Sequence, residues 1–281
     1  MDLIKQDRLQ KLVGRHNPLL KQLRQAFSRG ELTQDGYCAI EGVRTIEEAI
    51  RSGLRFRAIF FSESADSRAN RLLPQIAAQV EALVLPDKLF AQITATEHPQ
   101  GVAALVRVKK YELNDFFAPA GKKTSSHELV VIVAGLQDPG NLGTIIRSSE
   151  AFDATGIVTT EDTVSRFNSK VIRGSAGSVF RVPIIEEKLR TAIPAMRDHG
   201  LRLVATSSHK GTPLAKADLT QPVAVLIGNE GAGLPRHTLG EMDEMIAIPH
   251  SPRVESLNAG VAASIILYEA ARQRSQAESN E

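Results

Sequence analysis

LVVIVAGLQDPGNLGTIIRSSEAF, residues 129–152, is the stretch on which the fold turns. Its opening six residues are continuously apolar, the pattern of a strand covered on both faces, and the GLQDPGNLG that follows is dense in turn formers. A segment with helical periodicity then carries Arg147 and Glu150. Apolar runs at 156–159, 201–205 and 223–227 repeat the strand pattern with helix-like stretches between them, and this alternation predicts an α/β domain with a mostly parallel sheet. Three loops, GLQDPGNLG, TSSHKGTP and GNEGAGLP, leave the C-terminal ends of these strands, where open α/β sheets hold ligands.

Upstream, short strands at 37–41, 58–62, 82–85 and 101–108 alternate with helical stretches and predict a smaller α/β domain. Periodicity fails between 109 and 127, where Pro119, Gly121, Lys122, Lys123 and Thr124–Ser126 read as a connection. The expected organisation is therefore residues 1–108, a linker at 109–127, and a second domain at 128–281. A chain of 281 residues with 42% apolar content suits two cores. Its net charge is only +2, so attraction to a polyanion has to come from local clusters. The first thirty residues hold one, with seven Lys and Arg against two Asp, which reads equally as a solvated helix face or an RNA-binding segment. Cys38 is the sole cysteine, which excludes a disulfide framework or a CxxC pair and points to a reducing, cytoplasmic setting. No apolar run approaches the roughly twenty residues that span a bilayer, and the start lacks a signal-peptide core, so no membrane is expected.

The loops narrow the chemistry. A GxxxxGKS phosphate loop is missing, and GNEGAGLP lacks the spacing of a dinucleotide fingerprint. Gly228, Gly231 and Gly233 let backbone approach a ligand closely, and Glu230 among them favours a neutral or cationic group over a polyphosphate; a tight turn is the plainer alternative. IPHSPRVESLNA, residues 248–259, ends a short run, turns, and opens a long helix over 254–274 with Ser256 or Asn258 near its first turn. Apolar positions Leu257, Val261, Ile265, Leu267 and Tyr268 give this helix more than one stripe, so it packs on its own sheet and on a further surface, with a homodimer as the candidate. His209, His237 and His250 have no metal-ligand spacing and read as polar loop residues, so no metal is expected.

Taken in order, Asn141-Leu-Gly-x-x-x-Arg147-x-x-Glu150, Gly228-Asn-Glu-Gly-x-Gly-Leu and Ile248-Pro-x-x-x-x-Val-Glu-Ser-Leu-Asn258 resemble the three motifs of the SpoU/TrmH-type RNA ribose 2'-O-methyltransferases of the knotted SPOUT superfamily. Phe167-Asn-Ser-Lys-Val-Ile-Arg173-Gly-Ser-Ala-Gly177 and Phe180-Arg-Val-Pro183 extend the likeness. In the first domain, Arg15-His-Asn-Pro-Leu-Leu-Lys21, Glu41-Gly-Val-Arg44 and His98-Pro-Gln-Gly-Val102 resemble the family's ribosomal-protein-like substrate-binding module. The resemblance implies a trefoil knot, a homodimer and S-adenosylmethionine as methyl donor. It also implies a donor site at Thr206, Ser207, Gly228, Asn229, Gly231, Ile248, Leu257 and Asn258, and RNA contacts at Arg15, Asn17, Lys21, Arg44 and Arg173. For Arg44, a helix-start surface charge is the alternative.

Methyl transfer to a hydroxyl needs in-line placement, removal of a proton and relief of charge, with no metal required. The resemblance gives Arg147 the activating role. A guanidinium stays protonated, so pairing Arg147 with a phosphate of the target nucleotide is the more economical assignment; a surface pair with Glu150 is the alternative. Asn141, Ser256 and Glu230 then support the reacting region or Arg147, in interchangeable roles, Asn258 lies beside them, and Glu150 and Glu255 read as structural acids. His250 departs from the motif, where a residue such as Met is expected. A charge at Ile266 or Tyr268 is expected to break the dimer. The expected substrate is RNA, ribosomal RNA in preference to tRNA; a non-catalytic RNA-binding protein on the same fold is a further alternative, and a doubly wound small-molecule enzyme is another.

Overall fold

A computed structural model describes residues 8–11, 17–94, 96, 98–117, 128–229, 233–234 and 236–279. The chain divides into two compact units, Met1–Lys110 with Ser165–Phe180, and Tyr111–Val164 with Arg181–Glu281.

The first unit is built on strands β1 (Leu9–Lys11), β2 (Tyr37–Glu41), β3 (Arg55–Ser62), β4 (Glu81–Leu85) and β5 (Val102–Arg107), in the order β1-β4-β3-β5-β2. β1, β4 and β3 are parallel, and β5 runs antiparallel to both its neighbours. Helices α1 (Pro18–Arg29), α2 (Val43–Arg51), α3 (Asp66–Leu72) and α4 (Asp87–Ile93) alternate with these strands along the chain. Helix α1 starts where it does because the Asn17 side chain accepts from the Leu19 and Leu20 amides at 2.9 and 3.4 Å, with Pro18 in the first turn. Its apolar face, Leu19, Leu20, Leu23 and Ala26, enters a core with Phe60, Leu83, Phe90 and Leu105. β1 escaped the sequence reading because its three residues offer a single apolar side chain. The Ser169–Gly174 helix belongs to this unit although it lies within the stretch read as the second domain. It packs on β2, with Val171 and Ile172 buried.

Seven strands form the sheet of the second unit: β6 (Leu129–Val133), β7 (Gly156–Thr159), β8 (Ile184–Glu186), β9 (Arg202–Ser207), β10 (Thr212–Pro213), β11 (Val223–Ile227) and β12 (Glu244–Ala247). Their order is β10-β12-β9-β11-β6-β7-β8 and every pairing is parallel. β6, β7 and β11 are buried along their whole length, as the unbroken apolar runs predict. On one face Val130, Ile132, Leu203, Ala224 and Leu226 meet Ala192, Ile193 and Met196 of a helix spanning Leu189–Asp198. The alternate residues Val131, Val133, Val225 and Ile227 are buried too, so the sheet is covered on both sides.

Helix α5 (Pro139–Ala151) follows β6. With the Leu189–Asp198 helix taken as α6, the long C-terminal helix α7 covers Ala259–Glu278. α5 and α7 lie against each other: the Ser148 and Ser264 hydroxyls are 2.7 Å apart, and the Phe152 ring meets Tyr268 edge-on at 5.8 Å. α7 begins four residues after Glu255, since Asn258 is its cap, accepting from the Val261 amide at 3.1 Å. Near its other end Arg274 is buried and donates to the carbonyls of Leu219, Gln221 and Glu128 at 2.9, 3.1 and 3.3 Å. Burial lowers the pKa of that guanidinium from its ordinary value, and the charge of Glu128 opposes the shift.

Two expectations change here. Tyr111 to Phe117, read as linker, packs in the second unit, because Phe116 is buried in the core and Phe117 stacks on His199 at 3.7 Å; residues 118–127 lie outside the described residues. Ile266, expected on an outer face of the last helix, is 2% exposed, whereas Val261, Ile265 and Tyr268 stand at 46%, 37% and 54%.

Candidate active site

Beyond the C-terminal ends of β9, β11 and β12 the second unit holds a cavity of about 400 Å³. Thr206 and Ser207 reach it from β9, Gly228 and Asn229 from the end of β11, Ile248 from the end of β12, and Ser256 and Leu257 from the approach to α7. Residues of the TSSHKGTP and GNEGAGLP loops and of the 248–259 segment therefore border one cavity, while no residue of the GLQDPGNLG loop is in its lining. Thr206 Oγ1 donates to the Leu226 carbonyl at 3.1 Å, and Ser207 Oγ accepts from the Lys210 amide at 3.1 Å, closing a tight turn. Asn229 Nδ2 donates to the Gly135 carbonyl at 2.6 Å, which ties the loop after β11 to the loop after β6. At Gly228 a Cβ would sit 2.9 Å from both the Gly233 carbonyl carbon and Leu234 Cγ, so only glycine lets the chain fold back at this point.

Other predicted residues lie elsewhere. Asn258 is flanked by the lining residues Leu257 and Ala259 but is absent from the lining itself, its side chain engaged as the α7 cap. Asn141 is buried in the first turn of α5, its amide donating to the cap residue Asp138 at 2.8 Å. Arg147 is exposed on α5, off the cavity lining, and makes no hydrogen bond or ion pair among the described residues. The surface pair with Glu150 is not formed. Arg181 takes both oxygens of that carboxylate, with Nη2 to Oε2 at 2.9 Å and Nε on Oε1, because residue 181 re-enters beside α5 and presents a fork to it. Glu230, Gly231 and Arg15 lie outside the described residues.

In the first unit Lys21, Arg44 and Arg173 are exposed and have no ion pair among the described residues, the state of cations available to phosphate. Asn17 is not free in that way, since its carbonyl oxygen caps α1. Lys210 lines the cavity without having been singled out in the sequence, and His250, noted there as a departure from the motif and read as a polar loop residue, lines it too. His250 Nδ1 is 2.8 Å from the Ile248 carbonyl and its ring stacks on His209 at 5.3 Å. The only signal for Lys210 was membership of a loop at a strand end, whereas His250 also stands within the Ile248–Asn258 motif.

A volume of this size falls in the range of roughly 300–1,000 Å³ typical of small-molecule sites. Apolar walls from Ile227, Leu234, Met245 and Leu257 suit an adenine ring and a methionine chain, and hydroxyl and amide groups at Thr206, Asn229 and Ser256 suit a ribose. The residues present thus fit S-adenosylmethionine.

Residues 128–268 match the SpoU rRNA Methylase family, and residues 17–104 match the MRM3-like substrate binding domain. An uncharacterised tRNA/rRNA methyltransferase of Synechocystis is 32% identical, over 94% of each chain. The 23S rRNA (guanosine(2553)-2'-O)-methyltransferase RlmP of Bacillus subtilis is 27% identical, over 90% of this chain and 95% of its own. Among solved structures, the SpoU methyltransferase AviRb from Streptomyces viridochromogenes, in complex with the cofactor AdoMet, superposes with a TM-score of 0.79 at 28% identity, covering 92% of this chain and 98% of its own. Motif order, cavity and likeness along nearly the whole length agree, and the chain belongs to the SpoU rRNA methylase family of RNA methyltransferases.

Proposed function

We propose that this protein transfers the methyl group of S-adenosylmethionine to a ribose 2'-hydroxyl of ribosomal RNA. The observation that carries the reading is the convergence of Thr206, Gly228, Ile248 and Leu257, from three separate loops, on one cavity beyond the strand ends. RlmP, named for 2'-O-methylation of 23S rRNA and alike over most of both chains, supports the ribosomal target over tRNA. When bound, the donor supplies an electrophilic methyl on a sulfonium. The chain's own residues orient the acceptor and relieve charge. Arg147, exposed and without a carboxylate partner among the described residues, receives a phosphate of the target nucleotide, and Lys21, Arg44 and Arg173 hold RNA backbone from the first unit.

The active species is a homodimer in this reading. Val261, Ile265 and Tyr268 recur at i, i+4 and i+7 on α7, an exposed apolar stripe on a helix whose other residues, Ala259, Ala262 and Ile266, line the cavity. A second copy covers that stripe. Because Arg147 lies off the lining of its own cavity but on the helix packed against α7, it serves the cavity of the partner copy. A trefoil knot in the second unit and a cytoplasmic location complete the reading.

The test is incubation of the purified protein with labelled donor and, separately, unmodified ribosomal RNA and tRNA, followed by mapping of ribose methylation. Transfer to a ribose of ribosomal RNA is expected. Label on tRNA alone would redirect the substrate, and label on a base would end the 2'-hydroxyl reading.

A further inference from the structure

Lys210 lines the cavity and has no part in the chemistry above. The turn that carries it is held at both ends. Upstream, its own amide donates to Ser207 Oγ at 3.1 Å. Downstream, Gly211 has φ 112° and a Cβ there would collide with the Met245 carbonyl, so glycine alone fits, and Thr212 and Pro213 then pair with Ile246 and Ala247 of β12. The Lys210 side chain has no ion pair or hydrogen bond among the described residues. Among the described lining residues it is also the one permanently charged side chain, while the rest are apolar, hydroxyl, amide or the imidazole of His250.

The turn holds the backbone of Lys210 in place, its exposed side chain borders the cavity, and an unpaired ammonium there calls for an anion; the donor carries one anionic group, the α-carboxylate of its methionine part. We propose that Lys210 binds that carboxylate and so selects donors with an intact amino-acid end. The inference rests on the donor assigned above. In the sequence this lysine sits between His209 and Gly211 in a loop where nothing sets it apart from a solvated charge. Only the approach of β12 to the Ser207 turn makes it a wall of the cavity.

The test is calorimetry on the full chain with two ligands, S-adenosylhomocysteine and its decarboxylated analogue, for the wild type, Lys210→Met and Lys210→Arg. Wild type is expected to bind S-adenosylhomocysteine about tenfold more tightly than the analogue, the size of one charge-assisted hydrogen bond. Lys210→Met should erase that preference by weakening S-adenosylhomocysteine alone, and Lys210→Arg should keep most of it. Equal weakening of both ligands, or no change in either, overturns the proposal. So does a loss confined to RNA binding, which would make the lysine a phosphate contact. Failure of the wild type to bind S-adenosylhomocysteine overturns the donor reading together with this one, whereas wild-type binding with an unchanged Lys210→Met overturns this one alone.

Discussion

At the scale of the residue, what distinguishes Arg147 is the company it lacks. Glu150, one turn along, is taken by Arg181, and this leaves a permanently charged guanidinium exposed on α5 with no acid among the described residues. Replacing Arg147 by Ala should lower single-turnover transfer by roughly 10²–10³-fold, the usual loss when one charge-stabilising donor is removed, with donor affinity unchanged. Rapid-quench measurement with labelled donor checks this, and a near-wild-type rate would remove the residue from the mechanism. Arg147→Lys keeps the charge but loses the two-pronged geometry, so it should recover only part of the rate. Cys38 makes the opposite case of a reactive group silenced by its surroundings. Burial pushes its thiol up to about 12, against a smaller lowering by Arg166. It therefore stays protonated through the physiological range, and alkylation should label it only after denaturation; fast labelling of the native protein would contradict its burial.

One element, α7, does three jobs on three faces. Ala263, Leu267 and Ala270 are buried in the protein, Ala259, Ala262 and Ile266 border the cavity, and Val261, Ile265 and Tyr268 face outward. Its close fit to α5 depends on small residues, since a Cβ on Gly260 would already stand 3.1 Å from Thr144 Cβ. The helix is anchored by Asn258 at its start and by Arg274 near its end, where three carbonyls accept from one buried guanidinium. Arg274→Met would take this donor from the Leu219 and Gln221 carbonyls, while the Glu128 carbonyl keeps the Val223 amide at 2.9 Å, and a loss of roughly 3 kcal/mol in unfolding free energy is expected. Urea unfolding followed by circular dichroism measures it; a midpoint unchanged from wild type would mean that water replaces the side chain at no cost.

At the scale of the whole molecule the outward stripe of α7 sets the prediction. Ile265→Glu or Tyr268→Glu should give monomers in sedimentation, and an intact dimer would remove this face from the interface. Ile266, first expected to serve there, is instead a cavity wall, and a charge placed on it should injure donor binding directly. Whether Arg147 acts on the partner's cavity can be decided by mixing. Gly228→Val, whose added side chain collides with the returning chain at Gly233 and Leu234, should lose donor binding. Mixed with Arg147→Ala, it should restore activity if the arginine acts across the dimer and none if each arginine serves its own chain.

The βα alternation, the longer strands of both sheets and the loops that leave them were legible in the sequence, because burial on two faces writes itself as unbroken runs such as 129–134 and 223–227, and turns write themselves as Gly, Asn and Pro. Such signals are local. β1, β8 and β10, with three, three and two residues, were too short to leave one, and residues 165–180 carried no sign that their contacts lie with the first unit. Thr206, Gly228, Ile248 and Leu257, which border one cavity, came from the family resemblance rather than from any local pattern. Tertiary structure decided the rest. It turned Ile266 inward and Ile265 outward, though they are neighbours on one helix, gave Glu150 to Arg181 across 31 positions of chain, and brought Lys210 to the cavity wall. Periodicity tells which residues leave water; which partner each one meets depends on the packing of elements remote in sequence, and that is settled only when the chain is folded.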